Sequence, residues 1–143
     1  MTLYLDTSSL VKLYLSEPGS DSVEELVGRA TVLTTSVVAY AEGRAAFARL
    51  RRIRDVTSAA ATNMATRFDA DWGRVMAIEV TAPLARRAGQ LADRFDLRGF
   101  DAIHLASFEL IVERAGDQDD VHFSSADAAL SKAAKRAGVR RRW

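Results

Sequence analysis

The amino-acid sequence predicts an α/β fold in three layers, a central and mostly parallel sheet of about four to five strands flanked by helices. Three observations carry that prediction. Short apolar runs alternate along the chain with longer segments of helical period, the order expected of parallel strands joined by crossover helices. The first run, Leu3, Tyr4 and Leu5, has no charge and suits a strand buried on both faces. The length of 143 residues fits one domain, 1–143, with enough chain to cover both faces of a sheet.

The first strand ends on Asp6, followed by Thr7, Ser8 and Ser9. In open α/β sheets ligands sit beyond the carboxyl ends of the strands, so Asp6 faces a binding crevice. A short helix from Leu10 to Leu15 is stopped by Pro18 and Gly19, and a second runs from Asp21 to Gly28, with Leu26 and Val27 inward. Thr31 to Thr35 reads as the second strand. Ser36 is the expected N-cap of a long helix reaching Ile53, with Glu42 in its second turn among small alanines. Asp55 to Thr57 turns the chain into a helix from Ser58 to Trp72, with Trp72 a packing residue. Val75 to Val80 is the third strand and Ala82 to Phe95 the next helix.

Gly99 breaks the chain before an almost wholly apolar helix, Phe100 to Val112, which must be buried and central. Asp101 heads a stripe continued by Leu105, Phe108 and Val112, and no Arg or Lys lies one turn away on that stripe to neutralise it. Asp117 to Asp120 is an acidic loop, and Val121 to Phe123 the fourth strand. Ser124, Ser125 and Asp127 repeat the opening pattern of a strand followed by hydroxyls and an acid. Ala128 to Ala137 is the last helix, Gly138 its stop, and Val139 the start of a fifth strand, with Trp143 in the tail.

Composition excludes several classes. With no cysteine, the chain has neither a disulfide framework nor a thiolate zinc site. The longest charge-free apolar stretch, Ala30 to Ala41, is too short to span a bilayer, and no basic segment precedes an apolar leader. A cytoplasmic protein with no membrane association is expected. The net charge is only +1, yet 17 of the 20 basic residues are Arg. Arg44, Arg49, Arg51, Arg52 and Arg54 cluster on the helix that carries Glu42 and around its end, and Arg140, Arg141 and Arg142 follow one another. Arg suits bidentate phosphate contacts, so these clusters permit nucleic-acid binding, while the plainer account is a solvated helix face and a tail.

Asp6 and Asp127 follow strands, and Glu42 and Asp101 lie in the first two turns of helices, so all four acids can meet at one sheet edge. Two like charges ~4 Å apart repel by roughly 4 kcal/mol at an effective dielectric near 20, so such a quartet calls for cations. A hard divalent ion, Mg²⁺ or Mn²⁺, takes oxygen ligands of this kind. The chemistry that follows is phosphodiester hydrolysis by an activated water, with Ser8 and Ser125 positioning water or phosphate oxygens. His104 is read as a hydrogen-bonded packing residue of the buried helix in preference to a general base.

Leu5 to Ser8, Glu42, Asp101 to Ala106 and Phe123 to Leu130, in that order, resemble the PIN-domain ribonucleases, and among them the VapC-type toxins of toxin-antitoxin pairs. The resemblance spans nearly the whole chain, and Asp101-Ala-Ile-His-Leu-Ala106 is its most specific part. It implies a three-layer PIN-like fold, endoribonuclease activity with Mg²⁺ or Mn²⁺, an RNA substrate, a homodimer, and inhibition by a cognate antitoxin. It also implies that Asp6, Glu42, Asp101 and Asp127 are the metal-binding and catalytic acids. The family's usual Thr two places before the last acid is Ser125 here, and the long acidic loop leaves Asp119 or Asp120 as alternatives for the fourth acid. Arg44, Arg49, Arg51 and Arg52 are candidates for RNA or antitoxin contacts. Other classes fit less well. A haloacid-dehalogenase-type phosphatase would need an Asp where Ser8 stands, and a receiver-type domain would need a second early acid and a late-strand Lys. A non-catalytic metal-dependent RNA-binding module and a PIN-type nuclease outside toxin-antitoxin pairs remain as alternatives.

Overall fold

The computed structural model describes residues 1–115 and 120–137. Four parallel strands lie in the order β3-β2-β1-β4: β1 (Thr2–Leu5), β2 (Val32–Ser36), β3 (Met76–Ile78) and β4 (Val121–Ser124). Seven helices surround them, α1 (Thr7–Leu10), α2 (Ser20–Arg29), α3 (Val38–Arg52), α4 (Ser58–Trp72), α5 (Ala82–Phe95), α6 (Gly99–Ala115) and α7 (Ala128–Arg136), with a 3-10 turn at Val11–Leu13. The expected Gly138 stop, the fifth strand at Val139, Arg140 to Trp143, and Asp117 and Asp119 lie outside the described residues.

Side-chain alternation along β1 divides the interior in two. Leu3 and Leu5 face a core shared with α1 to α4, whereas Tyr4 points to the opposite face and packs with α5, α6, α7 and β4. Both cores are therefore anchored on one buried strand, and truncating Leu3 or Leu5 to Ala would cost about 2–5 kcal/mol. The α3–α4 hairpin is pinned by aromatic rings, with Phe47 edge-on to Phe68 at 5.7 Å and Tyr40 against Trp72 at 5.2 Å. Gly43 permits this close approach, since a Cβ there would lie 2.9 Å from the Phe68 ring.

The helices at Ser58–Trp72 and Ala82–Phe95 span the expected residues, and each starts on a Thr whose hydroxyl accepts a backbone N–H, Thr57 from Ala60 and Thr81 from Leu84. α6 is buried along most of its length as its composition requires. Three expectations need correction. Ser36 does not cap α3: it is the last residue of β2, and its buried hydroxyl has no hydrogen-bond partner among the described residues, while α3 starts without a side-chain cap. The third strand is three residues long, not six: the ladder with β2 covers Met76–Ile78, and among the described residues β3 has no second partner strand. The first helix begins at once after Asp6 because Asp6 itself caps it, and by Val11 it has tightened into the 3-10 turn.

Candidate active site

The chain runs from β1 outward to β2 and β3 and returns to place β4 on the other side of β1, so the strand order reverses between β1 and β4. Asp6 stands at that point, only 3% exposed. Its Oδ1 accepts the Ser9 N–H at 2.9 Å, its Oδ2 accepts the Ser125 hydroxyl at 2.6 Å, and the Ser8 hydroxyl lies 2.7 and 2.9 Å from the two oxygens. Ser8 Oγ in turn accepts the Ala126 N–H at 2.8 Å, so the loops after β1 and β4 are clasped around one carboxylate. Burial raises the Asp6 carboxyl above its ordinary value, and the hydrogen bonds from Ser125, Ser9 and Ser8 oppose that rise without cancelling it.

Glu42, in the second turn of α3, has the opposite balance. Burial would push its carboxyl up, but hydrogen bonds from His104 and Thr7 outweigh that and hold it below the ordinary value. Its Oε2 accepts from Thr7 Oγ1 and lies 2.9 Å from His104 Nε2. A carboxylate only accepts, so Nε2 carries a proton, and in the neutral ring Nδ1 is left to accept the Tyr4 hydroxyl 3.0 Å away. Tyr4 is fully buried, which keeps its phenol protonated. His104 is thus the hydrogen-bonded buried residue that the sequence suggests, and it also fixes one of the four acids.

Asp101 and Asp127 are held differently. Asp127 caps α7, accepting the Leu130 N–H at 2.8 Å through Oδ1, and its own N–H donates to Ser125 Oγ at 3.0 Å. Its other oxygen is 3.4 Å from Arg98 Nη2, while Arg98 Nε donates to Asp101 Oδ2 at 2.7 Å. Asp101 therefore does have a cation one turn away, contrary to the expectation from its helical stripe. Arg98 lies in the linker before α6, outside the helix on which that stripe was drawn. Its side chain is 80% exposed, against 19% for Asp101 and 31% for Asp127. Its charge also acts on Glu42. Glu42, Arg98, Gly99, Phe100 and Asp101 line a cleft of about 400 Å³, and Phe100 is an exposed aromatic at its rim.

All four acids and both serines therefore border one region of the sheet edge. Among the described residues, no three His, Asp or Glu side chains are close enough to form a ready ligand cluster. The carboxylates are satisfied instead by hydroxyls, amides, an imidazole and a guanidinium. The donors fit a hard divalent ion in kind: carboxylate oxygens on rigid elements, no thiolate, and a His104 ring engaged at both nitrogens. A cation, Arg98, is already seated between two of them.

Asp120 does not join this group. Its carbonyl accepts the Thr2 N–H at 2.8 Å, at the opposite end of β1 from Asp6, and its carboxylate pairs with His122. Asp119 lies outside the described residues. Arg44 forms an exposed ion pair with Asp69 at 3.0 Å and lines, with Arg51, a cleft of about 270 Å³ between α3 and α4. Arg49, Arg51 and Arg52 occupy the last turn of α3, roughly 10–15 Å along the helix from Glu42 at 1.5 Å per residue. The basic residue at the acidic cleft is Arg98, which clustering in sequence does not single out.

The PIN domain family matches residues 3–111, which takes in Asp6, Glu42 and Asp101 and ends before Ser125 and Asp127. Ribonuclease VapC45 of Mycobacterium tuberculosis (strain CDC 1551 / Oshkosh) is 36% identical over 105 residues, 73% of this chain and 73% of that protein. Ribonuclease VapC49 of Mycobacterium tuberculosis (strain ATCC 25618 / H37Rv) matches to the same extent. The crystal structure of Mycobacterium tuberculosis VapC20, described as a Sarcin-Ricin loop cleaving toxin, shares the fold with a TM-score of 0.63 at 23% identity, over 92% of this chain and 94% of that one. The parallel four-stranded sheet with helices on both faces and the match over most of the chain together establish that this chain belongs to the PIN-domain family.

Proposed function

We propose that this protein is a metal-dependent endoribonuclease of the VapC type, the toxin of a type II toxin-antitoxin pair, cleaving RNA by water attack at the acidic edge of its sheet. The curated relatives are ribonucleases, and ribonucleases of this family are generally dependent on a divalent metal. The observation that carries the reading is the clasp at the strand-order reversal. Asp6 and the Asp127 loop, far apart in sequence, share Ser125, while Glu42 and Asp101 border the adjoining cleft.

Asp6, Glu42, Asp101 and Asp127 are the proposed ligands and catalytic acids. When bound, Mg²⁺ or Mn²⁺ would neutralise the acids, polarise a phosphoryl oxygen and supply a water of lowered pKa. The chain's own contribution is positioning. Ser8, Ser9 and Ser125 fix Asp6, and His104 and Thr7 fix one oxygen of Glu42. Ser8 and Ser125 would also orient a water or a phosphate oxygen. Arg44, Arg49, Arg51 and Arg52 are assigned to RNA or antitoxin contacts on the α3–α4 side. A homodimer in the cytoplasm completes the proposal. Among the described residues no helix is long and apolar enough to cross a membrane.

The test is RNA cleavage by the purified protein with Mg²⁺ or Mn²⁺ and with chelator. Cleavage that stops with chelator supports the reading. Metal-dependent RNA binding without cleavage would identify a binding module instead. The toxin role is checked by expression: growth arrest on induction, relieved by co-expressing the product of a short adjoining reading frame, is expected. Cleavage without such relief would place the nuclease outside toxin-antitoxin pairs.

A further inference from the structure

We propose that Arg98 is a built-in counter-ion of the acidic cleft, seated on Asp101 and Asp127 while no divalent cation is bound and displaced from them by that cation. The inference rests on the reading that these acids hold a divalent ion. The guanidinium bonds Asp101 Oδ2 at 2.7 Å and lies 3.4 Å from Asp127 Oδ2, so it occupies oxygens that an ion between those residues would need. A carboxylate oxygen engaged by a guanidinium N–H must give it up, or share it at a loss, to become a metal ligand.

The placement of Arg98 is not explained by the helix it precedes. Its carbonyl accepts the Ala102 N–H at 2.9 Å, so it stands at the start of α6, where the helix dipole disfavours a cation. The surrounding acids are what make the position favourable. The attachment is also easy to undo. The side chain is 80% exposed, and ion pairs this exposed are weak and screened by salt. A divalent ion carries twice the charge and binds oxygen directly.

Release needs no rearrangement of the backbone. Leu97 packs against the core and donates its N–H to Ala92 at 3.2 Å, and Asp96 ends α5 in the left-handed conformation at φ 55°. Those contacts pin the linker before Arg98 and the Ala102 N–H bond to its carbonyl holds the backbone after it, so rotation of the side chain alone clears the cleft. Among the described residues Asp6 and Glu42 hydrogen-bond no guanidinium: their partners are hydroxyls, an amide and an imidazole, and Arg98 reaches Glu42 only through its charge. The exchange is thus confined to the Asp101–Asp127 side.

The experiment is Mn²⁺ titration by calorimetry of the full chain, stripped of metal, as wild type, Arg98→Ala and Arg98→Lys. Arg87→Ala is the control, since Arg87 pairs with Glu113 away from the cleft and its loss changes net charge equally. Tighter Mn²⁺ binding is expected in Arg98→Ala, on the order of tenfold, with a smaller gain in Arg98→Lys and little in Arg87→Ala. Thermal melts supply a second readout. Arg98→Ala should melt below wild type in chelator, because the acids lose their cation, and the gap should close with Mn²⁺. Should Arg98→Ala be unstable, Arg98→Lys against wild type still decides the sign. Wild-type Mn²⁺ binding that is unchanged or weaker in both Arg98 variants, or a gain matched by Arg87→Ala, would overturn the exchange while leaving the metal site intact. Absence of Mn²⁺ binding in every protein would overturn the metal site and the exchange together.

Discussion

Two halves of the acidic edge are built on opposite plans. Asp6, 3% exposed, and Glu42, whose side chain is 25% exposed, are tied by hydroxyls, an amide and His104, which set their geometry before any ligand arrives. Asp101 and Asp127 are held together by one exposed guanidinium. The first half is costly to rearrange because Asp6 and His104 are buried, and each lost partner leaves a desolvated polar group behind. The half held by Arg98 can exchange its cation for another. On the proposed function, in which the site takes an ion and then a polyanion, one fixed wall and one adjustable wall are an advantage.

The hardest blow to both walls is removal of charge from each. Asp6→Asn and Asp101→Asn should remain folded and lose cleavage by at least about a hundredfold, equivalent to roughly 3 kcal/mol of transition-state stabilisation. Metal-dependent cleavage unchanged in either folded variant would sink the catalytic assignment. Asp127→Asn should lose activity too, since Asp120 lies at the far end of β1 and cannot replace it.

The fixed wall alone is broken by His104→Ala, which removes one partner of the Tyr4 hydroxyl and a donor from Glu42. Urea denaturation should show about 1–3 kcal/mol of lost stability. Single-turnover cleavage should fall on the order of tenfold through kcat, with KM little changed, if the role is positioning. A loss confined to stability would make His104 a packing residue only.

Within the fixed wall, pH separates the two acids. Asp6 has a raised folded-state pKa, so between its unfolded and folded values the native state binds the extra proton. Its ionisation therefore destabilises the fold as pH rises through that window. Glu42 has a lowered one, so its contribution is present above its unfolded value and lost as pH falls through the folded one. In chelator, Asp6→Asn should be more stable than wild type at neutral pH and Glu42→Gln less stable, both differences shrinking in acid. Equal signs for the two variants would contradict the assignment of opposite shifts.

The smallest effect concerns Ser36, whose buried hydroxyl has no partner among the described residues. Ser36→Ala should leave cleavage intact and stabilise the fold by about 0.5–2 kcal/mol, as relief of an unpaired buried group would. A destabilised variant would mean that the hydroxyl has a bound water or other partner.

What was legible in the sequence followed from local signals. Thr57 and Thr81 announce helices that span the expected residues, and the alternation of Leu3, Tyr4 and Leu5 announces a strand covered on both faces. The four acids stand out in the sequence because Asp6 and Asp127 follow strands and Glu42 and Asp101 lie in the first two turns of helices, and the structure brings them to one sheet edge. The pairings among them were not legible, since Ser125 reaches Asp6, and His104 reaches Glu42, only once the sheet has brought distant segments together. Arg98 was missed because a helical stripe describes neighbours within a helix, and its contacts come from the turn before it. Ser36 was misassigned because a Ser before a helical pattern looks like a cap whether the strand stops before it or includes it.

The sheet order also has a consequence for the newly made chain. Thr2 pairs with Val32 on one side and with Val121 on the other, so β1 is synthesised early and completed on its second side only when β4 emerges. Until then Asp6 lacks Ser125, and Asp127 does not yet exist to flank the cleft. With the proposed site, a chain growing on a ribosome cannot complete its acidic edge until β4 and Asp127 have been translated. A chain stopped after Ala115 should accordingly neither gain thermal stability from Mn²⁺ nor cleave RNA, and it should expose the β4 side of β1 as an open, aggregation-prone edge.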